Sequence, residues 1–415
     1  MTTTTTAPTR ALEVWAEAQR LRVALLAPPT AAVPPSSLGG LDQVRRLAEG
    51  LAERGHQVTL IGAGLGGITA GAYRVVDTNP TSGQRVGAEI AERLHAERAG
   101  KVLERLGGVD VVSDHTRTGW QSAGGGRPHV LTVQTSYRPV VELWEPAPRT
   151  PGHVGWVAVS EHQQRNAPDM PWAEVIHPGI PVGKHPLPAS HAGPCVFLGP
   201  LLERHGAGLA LEAAHRARQP IVLAGTQHCP RAIAYTEVEL RPRLADDDEL
   251  LETVSPQERW ELLASACCLV APLHPQVPYS LEVVEAMAYG TPVVTMVGTV
   301  GAELVSHGLS GLVVSDPVLL PEAIGKAERL DPARVRAHAI SRYDDRGMVS
   351  AYEWLLTRLI GVAANGGQGR HAAQPIRPTA GRPDRPGGAW AAGRDGDGQA
   401  VRRMRTTRRP RERPG

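Results

Sequence analysis

The chain has 415 residues, 41% of them hydrophobic, and a formal net charge of +2. That length is too great for one ordinary core and predicts two domains, the apolar share suffices to build them, and the near-neutral balance excludes a chain that is polybasic throughout. No apolar run reaches the ~20 residues of a spanning helix.

The first 20 residues, MTTTTTAPTRALEVWAEAQR, are Thr-rich and then polar, without the apolar segment of a secretory signal. A cytoplasmic protein is expected. "RVALLAP" (Arg22 to Pro28) is a continuous apolar run, the pattern of a strand buried on both faces. Leu41 to Arg54 places Leu41, Val44, Leu47, Ala48, Leu51 and Ala52 at helical spacing, and Gly55 follows as a stop. Gln57 to Ile61 is the next strand, completing a βαβ unit. Further strands are predicted at Val109 to Ser113, His129 to Val133, Val154 to Ser160 and Ala173 to His177. A Pro-rich stretch from His177 to Pro194 then precedes a second series. It runs through strand Cys195 to Gly199, helix Leu209 to Ala217 and strand Pro220 to Gly225. Ser255-Pro256-Gln257-Glu258 reads as a capping box opening a helix that ends near Ala266. "CCLVAP", helix Ser280 to Tyr289 stopped by Gly290, strand Pro292 to Met296 and a last helix from about Met348 to Ile360 complete it. Two βα series joined by a Pro-rich linker predict two doubly wound α/β domains, with ligands at the carboxyl ends of the strands. The expected boundaries are 1–20 for the N-terminus, 21–185 and 186–340 for the domains, 341–362 for a closing helix and 363–415 for a tail. That tail carries 12 Arg against four acids and 16 Gly and Pro. Such a composition builds no core, and its RRMRTTRRPRER end offers contact with nucleic acid or an anionic surface.

Two places suit anion binding. Gly39 and Gly40 lie just before a helix, where glycine admits close approach and free amides meet the helix dipole. Ser280 is a candidate N-cap whose helix presents the amides around Leu281 and Glu282. Glu285 stands one turn further in, where a carboxylate can accept ribose hydroxyls. The spacing G-x-G-x-x-G is absent, as are G-x-S-x-G and a P-loop. Asp246 to Asp248 reads as a solvated loop. The 16 His show no helical ligand spacing, so no metal is expected. The four Cys have no C-x-x-C spacing and read as buried free thiols in a reducing compartment. The Ala, Arg, Gly and Pro bias points to a GC-rich bacterial genome.

"EAMAYGTPVV", followed by "GTVGAELVSHGLSGLVV", resembles the nucleotide-sugar half of glycosyltransferase family 4. In chain order, "GGLDQVRRLAEGLAERGHQVTLIGAG", "DVVSDHTRTG", "WVAVSEHQQRN", "EVIHPGIPV" and "VFLGPLLERHGAGLALEAA" resemble the same family. The resemblance implies a GT-B fold, two Rossmann-like domains facing a cleft. It also implies a retaining hexosyltransferase moving sugar from a nucleotide diphosphate to an acceptor hydroxyl. No metal or cofactor is implied beyond the donor substrate, and the acceptor is left unknown, with peripheral membrane contact open. The donor would meet Gly39, Gly40, Arg204, His205, Ser280, Leu281, Glu282 and Glu285. His115 and Gln134 would stand on the catalytic side. The family's first motif Glu is replaced by Val277, its phosphate-binding Arg and Lys by Pro200 and His205, and its strand-end His by Gln134. Arg204 stands one residue out of register. These departures leave a second reading, a catalytically degenerate GT-B homologue acting as a binding partner.

Overall fold

The computed structural model describes residues 20–28, 40–63, 72–78, 88–116, 128–133, 154–181, 186–187, 191–227 and 229–364. Gly39, Gln134, the Thr-rich start and the Arg-rich tail lie outside them. Among the described residues no helix is long and apolar enough to cross a membrane.

The first half comprises β1 (Arg22–Leu26), α1 (Gly40–Glu53), β2 (Gln57–Gly62), β3 (Arg74–Asp77), α2 (Ala88–Leu106), β4 (Val111–Asp114), β5 (His129–Val133), β6 (Val154–Ala158), α3 (Glu161–Asn166) and β7 (Trp172–Val175). Its seven strands take the order β3-β2-β1-β4-β5-β6-β7 and pair in parallel. Val23 sits opposite both Val58 and Val111, which fixes the register of the centre. The buried runs of β1, β4 and β5 are what a parallel sheet covered on both faces requires.

The second half comprises β8 (Cys195–Leu198), α4 (Ala207–Ala217), β9 (Ile221–Ala224), α5 (Pro230–Tyr235), β10 (Glu249–Leu251), α6 (Pro256–Ser265), β11 (Cys268–Ala271), α7 (Leu281–Ala288), β12 (Val293–Met296), α8 (Val300–Leu304), β13 (Gly311–Val314), α9 (Leu320–Ala327) and α10 (Pro332–Tyr343). Its six parallel strands run β10-β9-β8-β11-β12-β13. The capping box at Ser255 and Glu258 forms as its sequence predicts: each side chain bonds the other's backbone N–H. In both sheets the strand order reverses beside the first strand, between β1 and β4 and between β8 and β11. Such switch points are where ligands bind doubly wound sheets.

The last helix, α11 (Asp345–Ala364), returns to the first half. Met348, Val349, Tyr352, Leu355, Leu356 and Leu359 join Leu25, Leu47 and Leu51 in one core. Two glycines make room for it. A Cβ on Gly50 would stand 2.5 Å from Val349, and one on Gly155 2.9 Å from Leu359. The Tyr352 hydroxyl also meets Thr132 Oγ1 at 2.9 Å.

One expectation needs correction. Asp248 is not part of a solvated loop. Its carboxylate accepts from His215 Nε2 at 2.6 Å and from the Ile221 and Ala245 amides, tying α4 to the start of β9. Burial alone would raise this carboxyl, but those donors hold it below its ordinary range.

Candidate active site

In the second half, the residues at the switch point come from β8, β11 and the helices that follow them. Gly206 opens α4 in the left-handed region, at φ 87°. A Cβ there would stand 2.4 Å from the Pro272 carbonyl oxygen, so only glycine lets the start of α4 lie against the end of β11. Arg204 and His205 occupy the short turn before it. Arg204 is exposed, its Nε donates to His205 Nε2 at 3.4 Å, and its carbonyl accepts from the His274 amide at 3.0 Å. The two cation-capable side chains therefore stand at the carboxyl end of β8, as the sequence places them, while Pro200 supplies no charge.

Ser280 is the N-cap of α7, its hydroxyl accepting from the Val283 amide. The same hydroxyl donates to Glu282 Oε2 at 2.9 Å. Glu282 counts in the sequence for its backbone amide, and its side chain adds a carboxylate there. A Cβ on Gly199 would lie 3.9 Å from its carboxylate, so a negative charge stands between the end of β8 and the first turn of α7. A carboxylate is favourable at a helix N-terminus, and there it takes the place that an anionic ligand would use.

Glu285 is buried and is bound by Arg259, itself buried on α6, through both guanidinium and carboxylate edges. Burial pushes the Glu285 carboxyl up and Arg259 pulls it down. Arg46 of α1 also acts on Glu285 and ion-pairs with Asp345 at 3.7 Å. The first half thus reaches the neighbourhood of this carboxylate. Arg259 carries no motif signal, because only the packing of α6 beside α7 brings it to Glu285.

In the first half, Gly40 begins α1. His115 follows β4 directly but is buried, with Nε2 3.0 Å from Ser113 Oγ and its ring 5.6 Å from that of Tyr352. Burial, only partly opposed by Asp114, lowers His115 to about 4. The imidazole is therefore neutral near neutral pH. Asp114 accepts from the Thr116 amide and hydroxyl and lies 3.3 Å from His129 Nε2.

The halves are joined through Glu303 of α8. Its carboxylate accepts from the Glu161 and His162 amides at the start of α3, at 2.9 and 2.6 Å, and meets His177 Nε2 at 2.6 Å. Burial alone would raise Glu303, but His177 and the α3 amides hold it below its ordinary range. Ser160 Oγ donates to the Pro278 carbonyl at 2.6 Å, beside the loop that leads into α7. These bonds hold the end of β6 against the turn that carries Ser280.

Comparison with known proteins agrees with this architecture. Residues 194–328 match the family described as Glycosyl transferases group 1, and residues 39–184 match Glycosyltransferase Family 4; together they take in about two thirds of the chain. No curated protein matches it. Among solved structures, AviGT4, a glycosyltransferase involved in avilamycin A biosynthesis, is 24% identical, with a TM-score of 0.62 over 82% of this chain and 98% of that one. Sucrose-phosphate synthase from Thermosynechococcus elongatus is 16% identical, with a TM-score of 0.65 over 83% and 100%. The Anabaena protein HepE in complex with UDP-glucose is 15% identical, with a TM-score of 0.59 over 81% and 99%. Two family matches in chain order on two parallel sheets give the conclusion: the chain belongs to the family 4 glycosyltransferases and has their GT-B fold.

Proposed function

We propose that the protein is a retaining hexosyltransferase that takes its sugar from a nucleotide diphosphate donor and passes it to an acceptor hydroxyl. The observation that carries this reading is the convergence of two helix starts, α4 at Gly206 and α7 at Ser280, on the switch point between β8 and β11. The positive ends of two helices favour a diphosphate there, which would have to displace the Glu282 carboxylate from the start of α7. Arg204 and His205 would supply the side-chain donors in place of the charge missing at Pro200, and Glu285, which Arg259 holds in the fold, would accept the ribose hydroxyls. Stabilising the departing diphosphate is the main task of such a site, since charge develops there as the sugar leaves. HepE is solved with UDP-glucose, which supports a nucleotide sugar as the donor class. The first half supplies the acceptor side through Gly40, His115 and Gln134, and the reaction needs no metal. A cytoplasmic location accords with the lack of a spanning helix among the described residues.

Calorimetric titration of the full chain with UDP, GDP and ADP tests this. One nucleotide is expected to bind at micromolar concentration. Arg204→Ala should weaken it about tenfold or more, since a hydrogen bond to a charged group contributes roughly 1.5–3 kcal/mol. Glu282→Gln should tighten it about fivefold by removing a like charge, an effect of about 1 kcal/mol. No binding at millimolar concentration would overturn the donor reading. Binding indifferent to both substitutions would move the donor away from α4 and α7.

A further inference from the structure

One loop serves both helix starts of the candidate donor site. Residues 272–280 run from the end of β11 to the N-cap of α7. At the start of the loop, the Pro272 carbonyl oxygen lies against Gly206, where a Cβ would come within 2.4 Å of it. The His274 amide donates to Arg204 O at 3.0 Å. The turn that carries Arg204 and His205 therefore rests on this loop, and Ser280 ends it. Within the second half the loop has an apolar anchor. Val277 is buried in the core formed around β11 and α7, and its amide closes a turn onto His274 O at 3.0 Å.

The carbonyls before and after that anchor are held from the first half, by one short helix. Pro275 O accepts from His162 Nε2 at 2.6 Å and from Asn166 Nδ2 at 3.1 Å. Pro278 O accepts from Ser160 Oγ at 2.6 Å. A carbonyl only accepts, so His162 Nε2 carries the proton, and the two lone pairs of Pro275 O serve two donors. His162 and Asn166 stand one turn apart on α3, where side chains at that spacing share a face. Gln163 in turn fixes α3 to the carboxyl ends of the first sheet. Its buried side chain donates to Val133 O at 2.8 Å and accepts from the Val159 amide at 2.8 Å. Val133 ends β5, one residue before Gln134, which the proposed function sets on the acceptor side.

We propose that Ser160, His162 and Asn166 are positioning residues for the donor site. From the first half they fix the loop 272–280, and with it the Arg204 turn and the start of α7. The inference rests on the donor site proposed above. Pro272, Pro275 and Pro278 each have a fixed φ and no N–H. The loop is therefore stiff, and a hold on two of its carbonyls reaches Arg204 at one end and Ser280 at the other. Gln163 ties the same helix to the end of β5, so the two sides of the proposed reaction share one support. More than 100 residues separate the donors from the carbonyls, so no local spacing announces the contact.

Hydrogen exchange and nucleotide titration of the full chain test this together. Asn166→Ala and His162→Phe are expected to speed amide exchange in peptides covering 200–208 and 273–283, and to leave β1, β4 and α11 as in the parent. Each should weaken whichever of UDP, GDP and ADP the parent binds by about two- to tenfold, the net effect of one hydrogen bond. His162→Gln keeps a nitrogen that can donate to Pro275 O and should restore both readings. Arg165→Ala, at an exposed residue of the same helix turned toward Glu161 and Glu303, should change neither. Arg204→Ala combined with Asn166→Ala should lose less affinity than the sum of the single losses, since residues without direct contact couple through a shared support. Asn166 is exposed, so Asn166→Ala reports even if His162→Phe folds poorly. Exchange unchanged in both variants, or raised exchange with affinity unaltered, would overturn the proposal, as would strictly additive losses in the double variant. A parent that binds none of the three nucleotides overturns the donor reading instead, and the exchange result alone then decides whether α3 holds the loop.

Discussion

Glu285→Ala is expected to destabilise the protein by about 3–5 kcal/mol, the effect of leaving one member of a buried ion pair without its partner. Arg259 is 9% exposed and would keep its charge with no carboxylate beside it. Urea unfolding of the variant measures this. Replacing both residues, Arg259→Met with Glu285→Met, should restore most of the loss, because well-packed apolar side chains of similar volume often equal or exceed a buried pair. A Glu285→Ala variant as stable as the parent would mean that water reaches Arg259. The result also governs the donor experiment. Nucleotide affinity lost in Glu285→Ala reports on a disturbed fold as much as on a missing ribose contact. Affinity lost in the stable double variant isolates the carboxylate, and affinity retained there removes Glu285 from the donor site.

Stability is expected to fall as pH drops from about 6.5 to 4, with His115 the chief contributor. In the folded chain His115 titrates at about 4, and in the unfolded chain near 6.5. Between those values the unfolded state binds a proton that the native state refuses. The contribution is therefore fully present above the unfolded value and is lost as pH falls toward the folded one, reaching on the order of 3 kcal/mol. His338, lowered to about 4 by burial and Arg342, adds in the same direction. Unfolding free energies at a series of pH values, for the parent and for His115→Gln, check this. The variant should lose about one proton from the slope. An unchanged slope would show that His115 takes up a proton without unfolding, and so that Tyr352 does not seal it from solvent. The same burial keeps the imidazole neutral near neutral pH, so under the proposed function it would bring no positive charge to the reaction.

Much of the fold was legible in the chain because parallel strands buried on both faces leave continuous apolar runs. β1, β5, β8, β9, β11 and β12 lie where those runs are, and Ser255 and Glu258 announce their capping box. β3, with Arg74 and Asp77 at its ends, and α2, with charges along much of its length, were not anticipated, for an edge strand and a largely solvated helix write no apolar pattern. β10, three residues following an acidic turn, was hidden in the same way. Arg204, His205 and Ser280, the first two implied by the family resemblance, follow β8 and β11, because a loop that follows a strand is placed by that strand. The partners of these residues were another matter. Glu282 was counted as a source of amides, and its carboxylate proved to stand against Gly199.

What the sequence by itself determined is the alternation of strand and helix, the two-domain plan and the family, since all three depend on local pattern and on order along the chain. What only the tertiary structure decided is which charges meet. Arg259 with Glu285, Glu303 with the start of α3, and Tyr352 beside His115 join residues 26 to 237 positions apart. No local propensity encodes such meetings; they follow from the crossing of α11 onto the first sheet and the parallel register of the second.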